Sequence, residues 1–158
     1  MASKNVTARA VTRALSGALV AGALALAGTA ALAQSMESPV GLWKTIDDDT
    51  KQAKSLVRIT EAGGVLTGKV EKILTEKTDA VCDKCDGDLK NKPVQGMTIL
   101  SGLKKDGGEW TGGKILDPNN GKVYDAKVKL VDGGKKLEMR GFMGVSLLGR
   151  TQTWLREQ

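Results

Sequence analysis

Histidine is absent from the 158 residues. Without an imidazole, Ser-His and Cys-His nucleophile pairs and every His-ligated metal mechanism are excluded together. Aromatic residues are nearly as scarce, with three Trp, one Tyr and one Phe. That is too few stacking platforms for a single-stranded nucleic-acid binder. The basic excess is also small: 24 Lys plus Arg stand against 18 Asp plus Glu, a formal net charge of +6, and Lys4, Arg9 and Arg13 sit in the leading segment. The remainder is too weakly basic for strong phosphate-backbone binding, so no nucleic-acid partner is expected. Only two Cys are available, Cys82 and Cys85.

The first 33 residues hold those three cations and no acid, run apolar from Ala14, and close on Ala31-Leu32-Ala33. This is the layout of a secretory signal peptide, and its small-residue end suits a signal-peptidase groove better than a membrane anchor. The expectation is a cleaved leader over 1–33 and a single domain over 34–158, located in the periplasm or secreted. No Cys stands at the cleavage point to take a lipid, and no later apolar run approaches membrane length. An oxidising compartment makes a disulfide the default state of Cys82 and Cys85.

From Gly41 onward, runs rich in Val, Ile, Leu, Thr and Trp end at Gly, Asp or Asn, which is a strand signal. Strands are expected near 41–47, 54–62, 64–74, 96–105, 109–117, 122–131, 135–143 and 149–157. Ala62-Gly63-Gly64, Asp106-Gly107-Gly108, Asp117-Pro118-Asn119-Asn120-Gly121 and Asp132-Gly133-Gly134 suit tight connections between antiparallel neighbours. Tyr124, Ala126, Val128 and Leu130 alternate with Asp125, Lys127 and Lys129, giving one dry face and one wet face. With no long helix to cover it, the dry face must close on itself, so the expected fold is all-β, an eight-stranded antiparallel up-and-down barrel. Two connections depart from a simple hairpin. The segment 75–95 is long and charge-rich and is expected to hold a short helical turn. The segment from Gly141 to Gly149 is apolar where a turn is normally polar, so it reads either as extended core strands or as an apolar rim at the barrel mouth.

Gly41-Leu42-Trp43 in the first strand, with Gly149-Arg150-Thr151-Gln152-Thr153-Trp154-Leu155-Arg156 in the last, resembles the lipocalin and calycin pattern. In that pattern an Arg packs across the Trp and closes the barrel base. A fuller set comprises the leader, Cys82-Asp83-Lys84-Cys85, Gly96-Met97-Thr98-Ile99-Leu100, Gly121-Lys122-Val123-Tyr124 and Arg140-Gly141-Phe142-Met143-Gly144. This set is similar to the exported bacterial domain of unknown function 2147. The resemblance implies a lipocalin-like barrel with no settled activity. Arg150 and Arg156 share a face because an even number of residues separates them, so both are candidates to pack on Trp43, with Arg150 favoured.

Three readings of function follow. The leading one is a non-enzymatic binder of a small apolar or amphipathic molecule, without a cofactor, its cup lined or rimmed by Trp43, Trp110, Tyr124, Phe142, Met143, Leu147 and Arg150. No nucleophile has a recognisable base, and Ser146 lacks a Gly-x-Ser-x-Gly elbow. The second reading, a redox or metal-handling protein, rests on Cys82 and Cys85. Asp83, Asp86 and Asp88 nearby disfavour a reactive thiolate, and two thiolates fall short of a structural zinc set, so no metal is expected. Asp47-Asp48-Asp49 lacks the Gly and terminal Glu of a calcium loop and reads as a solvated turn. The third reading is a cell-envelope interaction module whose unidentified protein partner docks on the 75–95 loop.

Overall fold

The computed structural model describes residues 36–157; the leader expected over 1–33 lies outside the described residues. Eight strands form in chain order: β1 Gly41–Ile46, β2 Ala53–Ala62, β3 Val65–Ile73, β4 Thr98–Asp106, β5 Glu109–Asp117, β6 Lys122–Val131, β7 Lys136–Phe142 and β8 Arg150–Glu157. Each pairs antiparallel with the next, and β1 pairs with β8 to close the barrel. Closure leaves no long unpaired edge, which removes the template for edge-to-edge aggregation.

Alternation along each strand decides what faces inward. On β6, Ala126 and Val128 are buried while Lys129 is exposed, and on β3 Leu66 and Val70 are buried while Lys69 and Glu71 are exposed. The outer wall is therefore charged, unlike the apolar band that a lipid-spanning barrel presents. Among the described residues no helix is long and apolar enough to cross a membrane.

Up-and-down order sends successive connections to opposite ends. One end carries the β2–β3, β4–β5 and β6–β7 turns together with the incoming segment before Gly41. Here the interior is packed solid by Trp43, Val57, Ile59, Leu66, Leu103, Trp110, Val128 and Leu137, all buried. Pro39 is buried beneath them, and its carbonyl accepts the Trp43 Nε1 proton at 2.7 Å. The other end carries the β1–β2, β3–β4, β5–β6 and β7–β8 connections, and it is hollow.

The base decides between the two arginines, against the favoured Arg150. It is Arg156 that lies over the Trp43 ring, 4.2 Å from its centroid, because β1 and β8 pair with Trp43 opposite Arg156. Its guanidinium also donates to the Gly134, Val40 and Ser38 carbonyls at 2.7, 3.1 and 2.7 Å, tying the incoming segment to the β6–β7 turn. Burial lowers the Arg156 guanidinium from its ordinary value. Arg150 shares its face, as parity requires, but stands at the opposite end of β8 beside the mouth.

Candidate functional site

The hollow end encloses a cavity of about 720 Å³. Its apolar wall comes from Val70, Ile73, Ile99, Ile115, Leu116 and Met139, with the buried Trp154 among them. Ile73 follows Val70 across a bulge in the β2–β3 pairing, and Leu116 adjoins Ile115 on β5, so strict alternation does not by itself account for this wall. Shorter or polar residues share the lining: Thr45, Ser55, Gly141 and Gln152 also face the cavity, with Ser55 paired to Ile73 and Gln152 to Met139 across neighbouring strands.

A connected polar group marks the mouth. Asp48, at the β1–β2 turn, receives an ion pair from Arg150 and a hydrogen bond from Gln152 Nε2 at 2.8 Å. Gln152 Oε1 in turn accepts from Trp154 Nε1 at 3.4 Å. Arg150, Gln152 and Trp154 are alternate residues of β8, so one strand edge carries the group from cation at the rim to indole in the wall. Asp47 has a different task. Its Oδ1 accepts the Thr50 and Asp49 amides at 2.8 and 3.1 Å, closing the turn that aims Asp48 inward. The Thr50 amide, above all, holds the Asp47 carboxyl below its usual range. Across the mouth, Asp117 caps the β5–β6 turn through Asn119 and Asn120, and Asn120 Nδ2 donates to the Tyr124 hydroxyl at 3.0 Å.

The long β3–β4 connection covers part of the opening. It contains the expected helical turn, a single 3-10 turn at Gly87–Leu89. Ala80, Val81, Asp83, Lys84 and Val94 contribute to the cavity lining. Cys82 and Cys85 are joined in a disulfide, both residues almost fully buried at 0% and 1% exposure. The Cys82 amide donates to the Lys92 carbonyl and its carbonyl accepts from Asn91, both at 2.9 Å, so the disulfide loop is folded back on itself. Burial of both sulfurs opposes thiol-disulfide exchange, which needs an accessible sulfur. Among the described residues no group of three or more His, Cys, Asp or Glu side chains converges on a common point. Converting both cysteines to serine is expected to cost about 2 kcal/mol from loop-closure entropy. Urea unfolding of oxidised wild type against the Cys82→Ser, Cys85→Ser protein measures it, and equal midpoints would contradict a staple.

The residues singled out from sequence separate into three places. Tyr124 and Arg150 line the cavity. Trp43 and Trp110 do not; both belong to the packed base, where Lys105 Nζ sits 5.7 Å from the Trp110 ring centroid. Phe142, Met143 and Leu147 are off the cavity wall too, Phe142 half-buried at the end of β7 and the other two facing solvent. Beyond Gly141, which lines the cavity, and Phe142, which ends β7, the apolar segment is thus neither extended core nor cavity lining but an outward-facing rim. Sequence reasoning missed Trp154, Gln152 and Asp48. The parity shared by Arg150, Gln152 and Trp154 was an available signal for the first two, whereas Asp48 gave none.

A closed up-and-down barrel of eight strands, solid at a Trp-Arg base and hollow at the other end, is a lipocalin-like barrel. A family model described as an uncharacterized protein conserved in bacteria (DUF2147) matches residues 41–156, and the chain belongs to that family. In structure it is similar to protein HP1028 from the human pathogen Helicobacter pylori, described as belonging to the lipocalin family. The two share 22% sequence identity with a TM-score of 0.68, over 77% of this chain and 84% of that one. At that identity the likeness establishes the fold. No curated protein matches the chain in sequence.

Proposed function

We propose that the protein is an exported, non-enzymatic carrier of a small amphipathic molecule, held with its apolar part in the upper barrel and its polar end at Asp48, Gln152 and Arg150. The observation that carries this reading is the cavity itself. Its volume of about 720 Å³ falls within the range of small-molecule sites, about 300–1,000 Å³, and its wall is aliphatic with polar groups gathered at the rim. Those polar groups bond mainly to one another, an arrangement suited to orienting a ligand rather than to activating a nucleophile. Export is supported by the composition of the first 33 residues and by the disulfide, which oxidising compartments sustain.

The test is a fluorescence titration with cis-parinaric acid, together with native mass spectrometry of the freshly purified protein. Probe binding is expected to quench Trp154 emission. Ile115→Trp, which fills the cavity from its wall, should weaken the probe by about tenfold, equivalent to about 1.4 kcal/mol. Absence of both a co-purifying molecule and any probe binding blocked by Ile115→Trp would overturn the reading.

A further inference from the structure

The connection between β7 and β8 presents the most exposed large apolar side chains of the described residues. Met143 is 63% exposed, Val145 59%, Leu147 88% and Leu148 80%. Its shape is held by specific bonds. Arg140 Nε donates to the Ser146 carbonyl at 2.7 Å, one guanidinium nitrogen reaches the Leu147 carbonyl at 3.0 Å, and the other reaches Thr151 Oγ1 at 2.8 Å. An arginine spent on the loop's own carbonyls keeps the leucines outward, where they gain nothing from the barrel core. The loop stands at the open end, and Gly141 and Arg150 at its two roots both line the cavity.

We infer that this clamped tip docks the protein on the surface of a lipid bilayer bearing anionic headgroups, with the barrel mouth beside the membrane. Size selects this occupant over a second copy of the chain. A stable protein interface removes about 800 Å² from each partner, whereas four aliphatic side chains at a loop tip offer on the order of 500 Å². A bilayer needs no matching patch, because apolar side chains enter the boundary between headgroups and acyl chains individually. Charge points the same way. Residues 139–151, the loop with its two roots, contain Arg140 and Arg150 and no Asp or Glu. Arg150 is offset by Asp48, and Lys127, opposite Arg140 on β6, is offset by Glu109. Arg140 bonds only to neutral acceptors, so its charge stands directly behind the leucines. A cation behind an apolar tip suits a negative bilayer surface. The inference stands apart from the carrier reading, since an empty barrel would dock equally well.

The experiment is co-sedimentation of the purified protein with vesicles of phosphatidylethanolamine and phosphatidylglycerol. Leu147→Asp combined with Leu148→Asp should lower the partition coefficient at least about tenfold, with circular dichroism and melting unchanged because both side chains are exposed. As a second reporter that leaves the tip apolar, Leu147→Trp should give a blue-shifted emission component on vesicle addition that brominated acyl chains quench. Equal partitioning of wild type and double variant would overturn the inference, as would an introduced indole that neither shifts nor is quenched. A concentration-dependent dimer abolished by the double variant, with vesicle binding unaltered, would overturn it in favour of self-association.

Discussion

Truncating Trp43 to Ala is expected to destabilise the barrel by about 3–5 kcal/mol, the range for removing a fully buried large aromatic side chain. Trp43 has no exposed surface, and three losses coincide when it goes. The base acquires a void among Val57, Leu66 and their neighbours, the buried Pro39 carbonyl loses its 2.7 Å donor, and Arg156 loses the ring face it covers. Trp43→Phe separates these contributions. It keeps a ring for Arg156 and most of the volume but not the N–H donor, and should cost about 1–3 kcal/mol, the penalty for an unsatisfied buried acceptor. Arg156→Lys is not a conservative companion, because a single ammonium cannot serve carbonyls on two chain segments that the planar guanidinium joins at once. Urea unfolding with an unchanged m-value gives these numbers. A Trp43→Ala cost under about 1 kcal/mol would mean that the base is not the packed end. Because the cavity lies toward the other end, cis-parinaric acid affinity under native conditions should survive all three changes.

Legibility of the fold came from local chemistry, and it failed where distant parts of the chain meet. Ala62-Gly63-Gly64 and Asp106-Gly107-Gly108 mark hairpin turns by residue type alone, and each expected strand boundary falls within about two residues of the observed one. Parity placed Arg150 and Arg156 on one face correctly. What parity cannot give is height along the barrel axis. That height is set by the β1–β8 register, which joins the two ends of the strand sequence through only Leu42, Trp43 and Lys44 against Glu157, Arg156 and Leu155. No local signal encodes that pairing. The same limit explains Asp48, whose partner Arg150 is 102 residues away. The 141–149 segment shows a different limit. Its apolar composition fits a buried strand as well as an exposed rim, and only the Arg140 clamp, made by a side chain turning back on its own loop, decides for exposure.

Placing a side chain at Gly121 is expected to lift the disulfide loop from the mouth while leaving the barrel closed. Gly121 ends the β5–β6 turn with φ +71°, a left-handed conformation that disfavours any β-branched residue. The space above it is also taken, because a Cβ would overlap the Lys84 carbonyl and crowd the Cys85 amide nitrogen. These are backbone atoms of the disulfide loop and cannot rotate aside. Gly121→Val therefore forces either the turn or the loop to move, and the loop has the weaker hold, since its bonds to Asn91 and Lys92 are internal to the same connection. Backbone strain should contribute about 1–3 kcal/mol of destabilisation. The larger effect is local: exchange protection of the Cys82 and Asn91 amides should fall, proteolysis within 75–95 should accelerate, and cis-parinaric acid should leave the cavity faster. Gly63→Val is the control, because Gly63 has φ +58° but nothing within 4 Å of its Cβ position. It carries the conformational cost without the collision. Equal loop protection in the two variants would show that the disulfide loop is not seated on the β5–β6 turn; loss confined to Gly121→Val would establish that contact as the hinge by which the cavity is covered.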